Sequence, residues 1–427
     1  MTNPNQKTKT AREWARDSLI ALERDGRYSN LEVGAALERS GLSEADRALY
    51  TRLVYGVTER RITLDWIIRA YSKLPPEELD PEVLTALRLG LYQLTWMDRI
   101  PEHAAVGESA GLVSGGRVGY VNAVLRSYLR AGKTVRLPDP GESIPYLSVK
   151  YSVPEKLVKL FGECVPGEEL ESLLAALNRE PPVGLRINTL RLSAEEAASL
   201  VDGRLSAFAP DLVLTDGVSA RVREGLGGGS WFVQDEASRL ASAAVGALPG
   251  ETVIDTCACP GGKTFSMALD MKNEGTLYAF DLHPNKLSLI RSGAEKLGLT
   301  VIETEARDAR KPRESLQGKA DRVLCDAPCS GLGVMAKKPD IRYKNLDEIA
   351  GLPGIQYDVL CGSSEYVRAG GVLVYSTCTL VKAENEGVTE RFLREHPAFA
   401  LTEARTFLPH RDGTDGFYLA RMIRNKE

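Results

Sequence analysis

Two cysteines and an aspartate, each just beyond an apolar run, carry the strongest chemical signal in this 427-residue chain. In RVLCDAPCSGLG, Arg322 to Gly333, an apolar run ends in an Asp-Ala-Pro-Cys turn, so a buried strand delivers the Asp326 carboxylate and the Cys329 thiol to its exit. In YSTCTL, Tyr375 to Leu380, the run Val372 to Tyr375 does the same for Cys378. Ligands of open α/β sheets gather beyond the carboxyl ends of strands. If these two strands are neighbours, both thiols face one cleft. They could hold a metal, form a redox pair, or act as catalytic groups with separate roles. By spacing alone they could equally be two unrelated turn cysteines.

A third stretch, VIDTCACPGGKT from Val253 to Thr264, has the pattern of a strand, a glycine-rich turn and a helix. Glycines there let the backbone approach a nucleoside ligand closely. It is not a phosphate-binding loop of the G-x-x-x-x-G-K-[ST] kind, because the first glycine would fall at Cys257. The next strand ends at Asp281, about 20 residues on, where an acid can accept hydrogen bonds from ribose hydroxyls. Asp308 follows the third strand, where it could read an adenine amino group or simply stabilise a turn.

Zinc would need four ligands, and Cys257, Cys259, Cys325 and Cys329 could be made to supply them. Yet there is no C-x-x-C pair, the only nearby histidine is His283, and Cys325 sits in the strand facing away from Asp326. No metal site is expected. Cys257, Cys325 and Cys361 read as small buried hydrophobes.

The elements that must position these residues alternate strand and helix from about Ser230 onward, with strands at Thr252 to Asp255, Leu277 to Asp281, Val301 to Glu303, Arg322 to Asp326 and Val372 to Tyr375. Such alternation means an α/β fold, a doubly wound, mostly parallel sheet with right-handed crossovers. Upstream the chain reads as all helical. Ala11, Trp14, Ala15, Leu19 and Leu22 mark one apolar face closed by Gly26, Ser43 caps a helix running through Leu53, and Leu84, Leu87, Leu91 and Leu94 repeat the pattern. The last of these helices places Val121, Val124, Leu125 and Tyr128 on one face, which is plain core packing.

LPDPGES, Leu137 to Ser143, reads as a linker. A small α+β module is expected next, with a strand at Val183 to Asn188, a helix at Ala194 to Val201 and a glycine-rich close at Gly225 to Gly229. Its Arg186, Asn188 and Arg191 could hold phosphate or lie in a solvated loop. The expected domains are therefore 1–136, all helical; 144–228, α+β; and 229–427, the large sheet.

Composition excludes several classes. A hydrophobic share of 43% and a charged share of 26% are ordinary globular values. A formal charge of −4 argues against a chain that coats nucleic acid everywhere, while permitting a local basic groove, and the charges of the helical part nearly balance. Seven cysteines at irregular spacing are no secreted disulfide framework. The polar N-terminus lacks a signal-peptide core and no run is apolar enough to span a membrane, so a soluble, cytoplasmic protein with no membrane partner is expected. Oligomeric state is not legible.

DTCACPGGKT, Asp281, Asp308, DAPCSGLG and YSTCTL, in this order, closely resemble the Nop/Sun family of S-adenosylmethionine-dependent RNA 5-methylcytosine methyltransferases. GYVNAVLR and the helices before it resemble that family's NusB-like domain, and LRINTLR and VQDEAS resemble its later signatures. The resemblance covers nearly the full length. It implies a seven-stranded methyltransferase sheet preceded by a NusB-like domain and a small α+β module. It implies S-adenosylmethionine as cofactor and ribosomal RNA, 16S in particular, as partner.

Carried over by position, the family roles put Cys257, Ala258, Cys259, Pro260, Gly261, Gly262, Lys263, Asp281, Asp308 and Asp326 around the cofactor. Cys378 would be the nucleophile that adds to carbon 6 of cytosine, Asp326 would bind the amino edge or ring nitrogen of the base, and Cys329 would assist product release. Two departures stand out. The family loop usually has Ala where this chain has Cys259, and Ala336-Lys337-Lys338 replaces a more arginine-rich stretch, which bears on RNA contacts. A non-catalytic RNA-binding or assembly factor keeping the fold is the alternative, which intact Asp326, Cys329 and Cys378 disfavour.

Overall fold

Thr10 and Glu13 close a capping box at the start of helix Ala11–Asp25, and Gly26, in the left-handed region at φ 61°, ends it. The structure, a computed structural model, describes residues 9–26 and 28–426. Residues 1–8, the polar stretch expected to lack a signal-peptide core, lie outside the described residues, as do Arg27 and Glu427.

Packing divides the chain into two units, Met1–Asn178 with Met335–Tyr343, and Arg179–Val334 with Lys344–Glu427. In the first, the helix capped by Ser43 runs much further than the sequence suggests, Glu44–Tyr71, and buries Leu53, Val54, Val57, Leu64, Ile67 and Ile68. Helix Pro81–Trp96 buries Leu87, Leu91 and Leu94, and helix Gly116–Arg130 buries Val121, Val124, Leu125 and Tyr128, as their periodicity predicts. Residues expected as one module, 144–228, are shared between the units. Helices Ser143–Tyr151, Glu155–Cys164 and Leu170–Ala176 belong to the first, where Thr63 Oγ1 donates to the Val149 carbonyl at 2.5 Å and the Ile62 amide donates to Ser152 Oγ at 3.0 Å.

Residues 335–343 pack into this first unit. Arg342 is 1% exposed and donates to the carbonyls of Glu59 (2.9 Å) and Ser152 (3.0 Å) and to Asn178 Oδ1 (3.2 Å). Pro339 and Ile341 are buried beside it. Following Ala336-Lys337-Lys338, the stretch is held by packing and by a satisfied guanidinium.

The second unit carries two sheets. The smaller is antiparallel, built from β1 (Val183–Ile187), β2 (Arg204–Leu205), β3 (Leu212–Thr215) and β4 (Trp231–Val233) in the order β2-β3-β1-β4. Helix Ala194–Val201 stands as expected, but Gly225 to Gly228 are not a loop. They finish helix Ala220–Gly228, which Ser219 caps and Gly229 ends. Gly225 is required there because a Cβ would lie 2.0 Å from the Trp231 ring.

The larger sheet has seven strands: β5 (Thr252–Asp255), β6 (Thr276–Asp281), β7 (Ile302–Ala306), β8 (Ala320–Asp326), β9 (Val367–Thr377), β10 (Phe399–Phe407) and β11 (Phe417–Arg424). Their order is β10-β11-β9-β8-β5-β6-β7. Neighbours from β9 to β7 pair parallel, while β11 pairs antiparallel with β9 and with β10. This is the doubly wound, mostly parallel sheet expected from the sequence. The chain leaves β5 toward β6 and β7, then returns to β8 on the other side of β5, so a crevice opens between the carboxyl ends of β5 and β8.

Candidate active site

The crevice is lined from β5 first. Asp255 ends that strand with 1% exposure, accepts from Thr264 Oγ1 at 2.7 Å, and is pushed up to about 7 by burial. The following turn, Cys257 to Gly261, leads into helix Gly262–Asp270, with Gly261 at φ 116° where a side chain would be strained. Gln234, buried after β4, fixes the helix start: its Nε2 donates to the Gly262 carbonyl at 3.2 Å and its Oε1 accepts from Ser266 Oγ at 2.6 Å. A cavity of about 160 Å³ forms here. Of the expected cofactor residues, Cys257, Ala258, Cys259, Pro260, Gly262, Lys263 and Asp326 line it, together with Val233, Gln234, Asp235, Ser238 and Asp255.

Gly261, Asp281 and Asp308 do not line this cavity. Asp281 ends β6 and accepts the backbone amides of Cys259 (3.2 Å) and His283 (2.9 Å), so its carboxylate braces the turn. Asp308 lies beyond β7 in a bidentate pair with Arg310, whose hydrogen bonds hold its carboxyl below the usual range. Burial and Asp281 push the Cys259 thiol up to about 12, and burial raises Cys257 and Cys325, so these three are poor nucleophiles.

β8 and β9 are parallel neighbours, with Asp326 opposite Ser376. Ser376 Oγ donates to Asp326 Oδ1 at 2.7 Å and Lys263 Nζ to Asp326 Oδ2 at 2.7 Å. Burial pulls Lys263 down, but Asp326 outweighs it and Cys378 adds to the upward shift, so the ammonium is stabilised between a carboxylate and a sulfur. The same strand pairing brings Cys329 Sγ to 3.3 Å from Cys378 Sγ. The hydrogen bond to Cys378, followed by burial, pushes the Cys329 thiol well up. Either sulfur can donate across this contact. The loops are fixed to one another further along, where the Gly333 amide donates to the Cys378 carbonyl at 3.0 Å and Gly333 backs directly onto the Gly416 backbone.

Among the described residues no group of three or more His, Cys, Asp or Glu could hold a metal ion. None of their helices is long and apolar enough to cross a membrane. Arg186, Asn188 and Arg191 are not a phosphate site. Arg186 is 1% exposed and shares Asp211 and Asp270 with Arg239, Asn188 donates to the carbonyls of Gly229 (3.0 Å) and Leu297 (2.9 Å), and Arg191 binds the carbonyls of Gly228 and Lys296. All three fasten the small sheet to its surroundings within the unit.

Sequence reasoning missed Glu384 and Asn385, both 0% exposed beneath the cysteine loops. They fall in LVKAENEG, where no periodicity marks their burial.

Known proteins agree with this architecture. Residues 244–423 match the family described as 16S rRNA methyltransferase RsmB/F, and residues 9–130 match the NusB family. A Bacillus subtilis (strain 168) protein named "Probable ribosomal RNA small subunit methyltransferase B" is 36% identical, over 97% of this chain and 99% of its own length. The "Ribosomal RNA small subunit methyltransferase B" of Pseudomonas syringae pv. tomato is 33% identical over 89% of each chain. The crystal structure of PH0851 superposes with a TM-score of 0.79 at 26% identity, covering 98% of this chain and 99% of that one. With a seven-stranded methyltransferase sheet, two thiols at its switch-point crevice and relatives aligned end to end, the chain belongs to the RsmB/F family of 16S rRNA methyltransferases and is a methyltransferase enzyme.

Proposed function

We propose that this enzyme methylates carbon 5 of a cytidine in small-subunit ribosomal RNA, using S-adenosylmethionine and a transient bond from Cys378 to carbon 6. The observation that carries this reading is the thiol pair 3.3 Å apart, set beside the Lys263–Asp326 ion pair at the crevice. Carbon 5 of cytosine is a weak nucleophile, and a sulfur on carbon 6 turns it into an enamine-like carbon that can attack an electrophile.

The cavity suits the cofactor. Its glycine turn lets backbone approach an adenosine, and the carboxyl oxygens of Asp235 and Asp326 on its lining can accept hydrogen bonds from a ligand. The residues that would hold it are Cys257 to Pro260, Gly262 and Lys263 with Asp326, while Gly261 shapes the turn, Asp281 acts through the turn it braces and Asp308 lies beyond the cavity lining. When bound, S-adenosylmethionine supplies the electrophilic methyl group.

The protein's own groups do the rest. Lys263, positively charged beside Cys378, favours the thiolate there. Cys378 sulfur forms a bond to carbon 6, and the electron pair of the 5,6 double bond shifts to carbon 5 and toward the ring nitrogen. Asp326, oriented by Ser376 and Lys263, binds the amino edge or ring nitrogen of the base. After carbon 5 is methylated its proton leaves to solvent, the double bond re-forms, and the Cys378–carbon 6 bond breaks. Cys329, donating its S–H to the departing sulfur, stabilises it as a thiolate.

A cytosine must leave its helix or come from a single-stranded loop to reach such a crevice. We assign the helical unit, with its NusB-family match, to gripping the RNA. The test is methyl transfer from labelled S-adenosylmethionine to 16S ribosomal RNA followed by mapping of 5-methylcytosine. The wild type labels one or a few cytidines, and Cys378→Ala labels none; a fully active Cys378→Ala variant sinks the covalent reading.

A further inference from the structure

Each of the two cysteines is held from both flanks by buried polar side chains to which the reaction itself gives no part, two of them for Cys329 and one for Cys378. Gln356, 0% exposed on helix Leu352–Ser364, donates through Nε2 to the Pro328 carbonyl at 3.0 Å and to Glu384 Oε2 at 2.9 Å. That same Glu384 oxygen accepts the Ser330 amide at 2.9 Å. Pro328 and Ser330 are the residues on either side of Cys329. Asn385 treats Cys378 likewise: its Oδ1 accepts from Thr377 Oγ1 at 2.5 Å and its Nδ2 donates to the Thr379 carbonyl at 3.0 Å. The grips are joined, since the Ser330 and Thr379 hydroxyls lie 2.7 Å apart and Thr379 Oγ1 also reaches Glu384 Oε1 at 3.4 Å.

The charges around the pair are lopsided. Asp326 is matched by Lys263 at 2.7 Å, whereas the three donors to the Glu384 carboxylate are a backbone amide, a side-chain amide and a hydroxyl, all uncharged. Glu384 acts on the Cys329 thiol in the same sense as the hydrogen bond to Cys378 and burial, which come first, while Lys263 feels Cys378. Further polar groups around the pair include Asp326 on β8, Tyr375 on β9, whose hydroxyl donates to the Glu384 carbonyl at 2.6 Å, and Lys344, which binds the Ser330 carbonyl at 2.8 Å.

We propose that Glu384 is a positioning residue that assigns the two cysteines their roles: it ties the turn after Cys329 to the turn after Cys378 and presents its negative charge to Cys329, so that Cys329 stays the thiol donor and Cys378 carries the thiolate. A buried carboxylate held by neutral donors keeps its field on nearby groups because little solvent screens it. Nothing in the reaction requires this residue to touch the base or the cofactor. The assignment rests on the covalent reading above for its purpose, but not for its physical content.

Glu384→Gln keeps the size of the side chain and an acceptor oxygen while removing the charge. The full-length wild type and this variant, without RNA or cofactor, are treated with iodoacetamide from about pH 6 to about pH 10, and initial labelling of the Cys329 and Cys378 peptides is read by mass spectrometry. In the wild type, Cys378 labels at least about tenfold faster than Cys329 near neutral pH. In Glu384→Gln the ratio narrows to less than about threefold, because Cys329 now ionises at lower pH. Glu384→Asp retains the charge and returns the ratio toward the wild-type value.

An unchanged ratio and unchanged pH profiles in Glu384→Gln overturn the proposal, as does faster labelling of Cys329 in the wild type. If Glu384→Gln does not fold, Glu384→Asp decides: a ratio near wild type upholds the role of the charge, and a collapsed ratio overturns it. Methyl transfer by the same preparations is read separately. An active wild type whose ratio ignores Glu384→Gln removes the positioning role alone, whereas a wild type inactive on ribosomal RNA with the expected ratios removes the proposed RNA reaction alone.

Discussion

Lys263 Nζ stands 2.7 Å from Asp326 Oδ2, joining the start of helix Gly262–Asp270 to the end of β8. The pair lies inside the crevice, with side chains 14% and 26% exposed, so solvent screens it only partly. On the proposed reading its two charges serve different ends, the carboxylate binding the base and the ammonium favouring the Cys378 thiolate.

Replacing Lys263 by Met removes the positive charge beside Cys378 and one of the two hydrogen bonds that orient Asp326. Methyl transfer falls by about a hundredfold or more, as for loss of a preorganised electrostatic donor. The pH at which activity rises moves upward, because Cys378 loses a neighbouring positive charge. Lys263→Arg keeps the charge and retains more activity. Rate against pH for the three proteins checks this.

Asp255 makes stability depend on pH. An unfolded aspartate titrates near 4, whereas burial pushes Asp255 up to about 7 in the fold. Between these values the folded chain holds a proton that the unfolded chain has released, so stability falls as pH rises from about 4 to about 7 and then levels off. Asp255→Asn abolishes this contribution. Its melting temperature drops less than that of the wild type between about pH 5 and about pH 8, as thermal melts at the two pH values will show.

Arg239 is the hub of a buried ion quartet, at 2.8 Å from Asp211 and 2.9 Å from Asp270, which also share Arg186. Arg239→Ala leaves two largely buried carboxylates facing one guanidinium and costs about 3 kcal/mol in a urea melt. Arg191→Ala removes only exposed hydrogen bonds to carbonyls and costs about 1 kcal/mol.

How far the sequence reveals these arrangements differs from one residue to the next. The β8 and β9 pairing is legible because each apolar run ends directly in a reactive turn, and only the order of strands must be supplied. The end of helix Glu44–Tyr71 is not legible at Leu53, since Gly56 follows closely as a break signal yet stays inside the helix, where it admits the Tyr92 ring, and the far half is specified by tertiary packing. The close at Gly225 is misread because glycine usually signals a loop, whereas here it admits the Trp231 ring against a helix. Arg186 looks like an anion ligand until Asp211 and Asp270 appear beside it, one of them 84 residues away in sequence. Glu384 and Arg342 are polar residues whose burial depends on partners far along the chain, which local patterning cannot register.

The most direct test of the covalent account uses Cys329→Ala with ribosomal RNA and S-adenosylmethionine. Without the thiol that eases departure of Cys378, a protein–RNA adduct accumulates and survives a denaturing gel, and the Cys329→Ala, Cys378→Ala double variant forms none. An adduct that persists without Cys378 would contradict the account.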